Sequence, residues 1–117
     1  MPHLPGYLPN SAPVLRGGQN TAQNFANGSG VSVSNGGLLN DVSVNSSGYG
    51  QSLAEIANGI PHGKVGYTTV GQIKAAGGDV IPSPNLRNPW HATMSRVDAD
   101  AASGLMQPLV PNPAKIR

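Results

Sequence analysis

The sequence predicts a small single domain of the α+β class, with a largely antiparallel sheet and about three to four short helices. Its 117 residues suffice for one modest core. Sixteen glycines and eleven prolines predict short elements that are separated by many turns. Apolar clusters recur along the chain. Some alternate with polar residues as in a strand, and others lie between a helix-capping residue and a glycine that would end the helix. We therefore expect strands and small helices to alternate.

The first half of the chain is predicted to begin with a Pro-rich linker over residues 1–12. A buried strand, Pro13 to Arg16, follows and ends at a double glycine. A short helix around Phe25 is expected to end at Gly28. Two strands come next, Val31 to Ser34 and Leu38 to Val44, and the Asn35-Gly36 pair between them is a strong hairpin signal. A helix then begins after Ser52, with Glu55 at the capping-box position and Gly59 as its end.

The second half is predicted to open with a strand, "KVGYTT", and a helix that Thr69 caps. The segments "DVIPSP" and "HATMSRV" are the next two strands, with a twist or bulge expected at Arg96. Asp98 caps a last helix, "ADAASGLM", and a Pro-rich segment follows. The folded domain is expected to span 13–113, with residues 114–117 as a C-terminal tail.

The composition limits the functions that the protein can have. There is no cysteine, which excludes disulfides, a thiolate nucleophile and a Cys-based zinc site. Charged residues make up only 10% and the formal net charge is +2, which is compatible with a polyanionic ligand without requiring one. No apolar run approaches about 18 residues, so we expect no membrane anchor in this domain.

The segment "NPWHATMS" carries the leading candidate for catalysis, His91. Strand alternation places His91, Thr93 and Ser95 on one face, and Ala92 and Met94 on the opposite, apolar face. A single histidine is often structural. A face of one imidazole and two hydroxyls is, however, an unusual way to build a core, and this favours a functional site.

Cations come from separate segments of the chain: Arg16 after the first strand, Lys64 before "VGYTT", and Arg87 ahead of the histidine. A ribonuclease that works without metal needs a base, an acid and cations that stabilise the charge on phosphorus. Lys64 and Arg87 could equally be solvated loop charges. Arg16 is the stronger candidate, because the following glycines allow close approach of the backbone to a ligand.

The sequence offers few residues for other kinds of catalysis. Asp41, Glu55, Asp79, Asp98 and Asp100 are the only carboxylates, and three of them are better explained as helix caps or first-turn residues. The sequence therefore gives little support for a metal-dependent nuclease or a paired-carboxylate glycosidase, because both need carboxylates, of which this chain has few. The histidines His3, His62 and His91 are too scattered to indicate zinc, and no phosphate-binding loop or nucleophile elbow is found.

Four segments carry a resemblance to a known class. "VLRGGQNTAQNFANGSGV", "DVSVNS", "VGYTTVGQIKAAGGDVIPSP" and "NPWHATMSRVDADAASGLMQP" together resemble the C-terminal toxin domains of bacterial polymorphic toxins, of the contact-dependent growth inhibition and Rhs types. The resemblance runs from about Pro13 to Pro113. Its main features are the double glycine after a helix, the Asn-Pro-x-His-x-Thr motif, and a short helix that ends before a proline.

This resemblance implies a toxin that is delivered from the producing cell into the cytoplasm of a neighbouring bacterium. It also implies a cognate immunity protein as partner, tRNA as substrate and, as for some such domains, elongation factor Tu as a helper protein. The low charge favours a protein that presents the RNA, because few phosphate contacts are available. The expected catalytic residues are His91, Thr93 and Arg16. Substrate binding is assigned to Lys64, Arg87, Ser95, Thr68 and Trp90, and no metal or cofactor is expected.

Two alternatives stay open. An ADP-ribosyltransferase would bind NAD through the arginine of "LRGG" and would use "VSVNS" as its polar strand. The catalytic glutamate that such enzymes carry late in the chain is missing here. A non-enzymatic binding module would use Trp90 and Tyr67 as an apolar contact patch, since a tryptophan beside proline is typical of interface anchors.

Overall fold

The computed structural model describes residues 8–28, 31–34, 36–48, 52–58, 60–86 and 88–115. Within them the strands are β1 Pro13–Gly17, β2 Ser32–Val33, β3 Leu38–Asn40, β4 Val42–Ser46, β5 Lys64–Thr69, β6 Asp79–Pro82, β7 His91–Ser95, β8 Val97–Asp98 and β9 Val110–Pro111. The helices are α1 Ala22–Ala26, α2 Leu53–Ile56, α3 Val70–Ala75 and α4 Ala99–Met106, and a 3₁₀ turn spans Pro113–Lys115.

The strands form two sheets, and every pair of neighbouring strands is antiparallel. The six-stranded sheet has the order β6-β7-β4-β1-β5-β9, and the three-stranded sheet has the order β2-β3-β8. The protein is thus a single α+β domain with mostly antiparallel sheets, as its sequence predicts. The hairpin predicted around Asn35-Gly36 is present as the pair β2 and β3, although Asn35 itself lies outside the described residues.

Two strands that the sequence predicts as continuous are each divided. The predicted strand over 38–44 is interrupted at Asp41, and "HATMSRV" is interrupted at Arg96; both residues have positive φ, 62° and 63°. The two interruptions adjoin, because the Arg96 backbone N–H donates to the Leu39 carbonyl at 2.7 Å. At Asp41 the chain passes from the small sheet to the large one, and at Arg96 it passes from the large sheet to the small one. The twist expected at Arg96 is therefore a change of sheet.

Two hydrophobic clusters lie on opposite faces of the large sheet. The larger cluster contains Phe25 of α1, Ile73 of α3 and Met106 of α4, packed on side chains such as Val14 and Met94. The smaller cluster contains Leu15, Ile56, Ala57, Ile60 and Val65, with Trp90 packed against it. Along β7, Ala92 and Met94 are fully buried and His91, Thr93 and Ser95 are half-buried. The predicted division of this strand into an apolar and a polar face is confirmed.

Side-chain caps begin the four helices, at the positions that the sequence predicts for three of them. Ser52, Thr69 and Asp98 each accept a hydrogen bond from the backbone of the first turn, and Thr21 does the same for α1. Such caps satisfy amide groups that have no partner within the helix. Gly59, the predicted end of α2, lies outside the described residues.

The packed region begins before Pro13, the expected start of the domain. Leu8 and Ala12, assigned to the linker, are buried in the larger cluster. At the other end, β9 pairs with β5, and Asn112 is buried with 1% of its surface exposed. Among the described residues, no helix is long and apolar enough to cross a membrane.

Ile73→Ala is expected to destabilise the fold by roughly 2–4 kcal/mol, because its fully buried side chain joins α3 to the sheet and its loss leaves a cavity. Ile81→Ala is the matched control, since 59% of Ile81 is exposed on the edge strand β6, and it should change stability by less than about 0.5 kcal/mol. Urea denaturation of the three proteins measures the difference. Equal losses for both variants would contradict the packing of α3.

Candidate functional site

A gap in the large sheet defines the candidate site. Strands β1 and β4 pair at Val14–Ser46 and Leu15–Asn45, and the register goes no further. Beyond that point, Arg16 and Gly17 stay paired with β5, at Gly66 and Val65. β1 and β4 therefore separate, and residues of both strands line a cavity at this point.

His91 stands beside this gap, on the face of the smaller cluster. It pairs with Asn45, which in turn pairs with Leu15, so these three side chains point to the same side of the sheet. The His91 Nδ1 atom lies 3.0 Å from the carbonyl oxygen of Ser83 and 2.8 Å from its hydroxyl. The same hydroxyl lies 2.8 Å from Oγ1 of Thr93.

The Ser83 contacts favour one tautomer of His91. The carbonyl oxygen can only accept a hydrogen bond, so Nδ1–H is the donor to it, whereas the Ser83 hydroxyl can act in either direction. In that tautomer Nε2 accepts from the exposed hydroxyl of Ser43 at 3.1 Å. Nε2 thus lies beside Ser43, and both residues line the cavity next to the gap.

Arg16 reaches the gap from the opposite face. Its guanidinium lies over the Phe25 ring, 4.5 Å from the centroid. Nη1 donates to Oδ1 of Asn20 at 2.6 Å and of Asn24 at 3.2 Å. Burial lowers the pKa of Arg16 from its usual value. Among the described residues it has no carboxylate partner, and a half-buried cation without a counter-charge attracts anions.

His62 is the third ionisable side chain at this site, after His91 and Arg16. A Cβ on Gly17 would collide with the His62 ring and with Ile60, so only glycine lets the imidazole lie against β1. The buried Asn112 fixes this loop, since its Nδ2 donates to the carbonyls of Ile60 at 3.1 Å and His62 at 2.8 Å. His62 is itself exposed.

Two cavities meet at Arg16, Gly17 and His62, which line both of them. The first, here the His91 cavity, has about 230 Å³ and also contains His91 and Ser43. The second, here the amide cavity, has about 440 Å³ and is walled by α1 and the turn before it. Among the described residues, no carboxylate lines either cavity and no three metal-ligating side chains gather. The cleft therefore combines two imidazoles and one guanidinium with neutral polar groups.

The structure brings some of the predicted site residues together and separates others. His91 and Arg16 line the cleft, whereas Thr93 lines neither cavity and is hydrogen-bonded to Ser83 beside His91. Trp90 packs on the smaller cluster, and Ser95 accepts from the Asp41 amide at 3.2 Å.

The remaining predicted binders lie away from the cleft. Thr68 is buried, and its hydroxyl donates to Gln72 at 2.6 Å. Lys64 is exposed at the start of β5 and lines neither cavity. Arg87 lies outside the described residues.

The sequence reasoning did not select His62, Ser43 or Ser83. Ser43 and Ser83 come next to His91 only through strand pairing, which leaves no local pattern in the chain. His62 had one signal, the turn "IPHGK", whose proline and glycine hold a histidine at a fixed bend.

Comparison with family models, with curated protein sequences and with solved structures finds no match to this chain.

Inorganic phosphate is expected to stabilise the protein through Arg16. At ten times its dissociation constant, phosphate should add about 1.4 kcal/mol to the free energy of unfolding. Arg16→Met keeps the apolar stem and should lose this effect. Arg96→Met, at an exposed arginine 3.4 Å from Asp79, is the control and should keep it. Thermal melting against phosphate concentration at constant ionic strength measures both. A phosphate effect that survives Arg16→Met would contradict the site.

Proposed function

We propose that this protein is a ribonuclease that cleaves RNA by acid–base catalysis without a metal ion. One observation carries the proposal: two imidazoles and a half-buried, unneutralised guanidinium line one cleft. Histidine is the side chain that most often moves protons in enzymes, and a fixed cation stabilises the charge that develops on phosphorus.

The proposed reaction begins at His91. Nε2 removes the proton of a ribose 2′-hydroxyl, and the 2′-oxygen attacks the adjacent phosphorus. The bond from phosphorus to the 5′-oxygen breaks, and His62 gives that oxygen a proton. Arg16 binds the non-bridging phosphate oxygens through the transition state. The products are a 2′,3′-cyclic phosphate and a 5′-hydroxyl. Ser83 acts as a positioning residue, because its carbonyl keeps the His91 proton on Nδ1.

The two alternatives receive less support. An ADP-ribosyltransferase needs a carboxylate beside its substrate, whereas Glu55 is exposed on α2 and lines neither cavity. A binding module built around Trp90 and Tyr67 needs both side chains to be available, whereas Tyr67 is 41% exposed but Trp90 packs against the smaller cluster. The cleft is better suited to a phosphodiester than to either alternative.

The proposal extends to the biological setting that the resemblance implies. The domain would be a toxin that acts on tRNA in the cytoplasm of a neighbouring bacterium. A cognate immunity protein would neutralise it, and elongation factor Tu is the proposed helper. The support is the resemblance of the segments quoted above. Expression in bacteria without an immunity partner, followed by sequencing of RNA 5′-ends, tests this setting, and undamaged RNA with normal growth would contradict it.

His91→Ala and His62→Ala are each expected to lower the rate of RNA cleavage by about 10² or more. Both rings lie outside the two hydrophobic clusters, so the melting temperature should change little. Thr93→Ala should be milder, below about tenfold, because it removes one neutral hydrogen bond behind His91.

Arg96→Ala is the control for these variants and should cleave RNA at the parent rate. The measurement is initial cleavage of labelled RNA by each purified, folded protein. A folded His91→Ala variant with full activity would overturn the assignment of His91 as the base.

RNA cleavage is also expected to continue in excess EDTA, because the described cleft supplies imidazoles and amides but no carboxylate for Mg²⁺. Cleavage of the same RNA is measured before chelation, after it, and after Mg²⁺ is restored. Activity that disappears with EDTA and returns with Mg²⁺ would remove this mechanism.

A further inference from the structure

The amide cavity contains a group of side chains that the proposed reaction does not use. Its wall presents four carboxamides, from Gln19, Gln23, Asn24 and Asn27, and among the described residues Arg16 is its one permanently charged group. Carboxamides carry a donor and an acceptor side by side and no charge. Such a wall suits a neutral polar ligand with a hydrogen-bonding edge better than a second phosphate.

The carboxamides are available for a ligand. Asn24 uses its Oδ1 for Arg16 at 3.2 Å, which turns the Nδ2 donor away from the guanidinium. Gln23 and Asn27 are exposed, and their side chains make no hydrogen bond to any residue that the structure describes. They can therefore bind a partner without breaking an internal contact.

The size and the flat groups at the shared boundary fit a nucleobase. A volume of about 440 Å³ lies within the range of small-molecule sites. Arg16, which has a planar guanidinium, and His62, which has a planar ring, both line the amide cavity. Bases commonly stack on such planes when a protein binds single-stranded RNA.

The order of groups along the cleft gives the direction of the chain. His91 takes the proton of the upstream 2′-hydroxyl, so the upstream nucleotide lies in the His91 cavity. His62 protonates the 5′-oxygen of the downstream nucleotide, so that nucleotide leaves on the side of the amide cavity.

We propose that the amide cavity binds the base immediately downstream of the cleaved bond, and that this base is a purine. A carboxamide matches the N6–N7 edge of adenine with two hydrogen bonds, which makes adenine the preferred purine. This inference rests on the proposed ribonuclease function and adds to it a subsite that determines specificity. Gln23 and Asn27 are its specificity residues.

The experiment has two stages. The wild-type protein first digests total bacterial RNA, and sequencing of the 5′-hydroxyl ends locates the bonds that it cuts. The RNA around the most-used bond is then synthesised with adenine, with uracil or with no base at the downstream nucleotide. The first measurement is the ratio of kcat/KM between the adenine form and the baseless form. The second is the ratio between the adenine form and the uracil form, which should exceed one, and a ratio of one or less would overturn the purine assignment.

The wild type is expected to cleave the adenine form about tenfold or more faster than the baseless form, since two or more hydrogen bonds are gained. Gln23→Ala combined with Asn27→Ala should reduce this ratio to near one, and each single variant should reduce it in part. Asn58→Ala, at an exposed asparagine outside both cavities, should keep the wild-type ratio. Melting temperatures establish that each variant is folded.

Two results would overturn the proposal in different ways. If the wild type cuts RNA but its ratio is near one, or if the double variant keeps the wild-type ratio, the subsite is wrong while the ribonuclease stands. If the wild type cuts no RNA, the proposed function fails and the subsite fails with it.

Discussion

The cleft depends on a pair of amide side chains, Asn45 and Asn88. Nδ2 of Asn88 donates to Oδ1 of Asn45 at 2.8 Å, while Nδ2 of Asn45 donates to the Ile56 carbonyl at 2.7 Å. Asn45 is 4% exposed, so its polar atoms must find partners inside the protein. This arrangement joins the end of α2, the centre of the sheet and the loop before His91. Together with the hydrogen bond from the Ser46 amide to the Trp90 carbonyl at 2.9 Å, it holds that loop against β4.

The gap suits the anion site proposed above in so weakly charged a chain. Arg16 and His91 lie on opposite faces of the sheet, and a continuous sheet would keep them apart. Where β1 and β4 separate, Arg16, Gly17 and His62 line both cavities. The guanidinium is half-buried and held by neutral amides, so its charge is not cancelled by a carboxylate and is less screened than on the open surface. One well-placed cation can then contribute what several surface lysines would otherwise supply.

The elements that the sequence predicts well are those with local physical causes. Ser52, Thr69 and Asp98 mark helix starts because a cap bonds within three residues of itself. The polar face of β7 follows from strand alternation, which also placed His91 and Thr93 correctly relative to Met94. The predicted strands failed at Asp41 and Arg96, because a left-handed residue other than glycine carries no clear signal in the chain.

By itself, the sequence determined the α+β class, three of the helix caps and the alternation of β7, and it selected His91 and Arg16 as candidates. Only the tertiary structure decided which of the polar residues share a cleft. Ser43 and Ser83 meet His91 through strand pairing, and His62 lies against β1 because Gly17 leaves room for its ring. Thr68, by contrast, lies away from the cleft and donates its hydroxyl to Gln72 of α3. The physical reason is that caps and alternation are set by neighbours in the chain, whereas a site is set by contacts between residues far apart in sequence, and their register depends on the whole core.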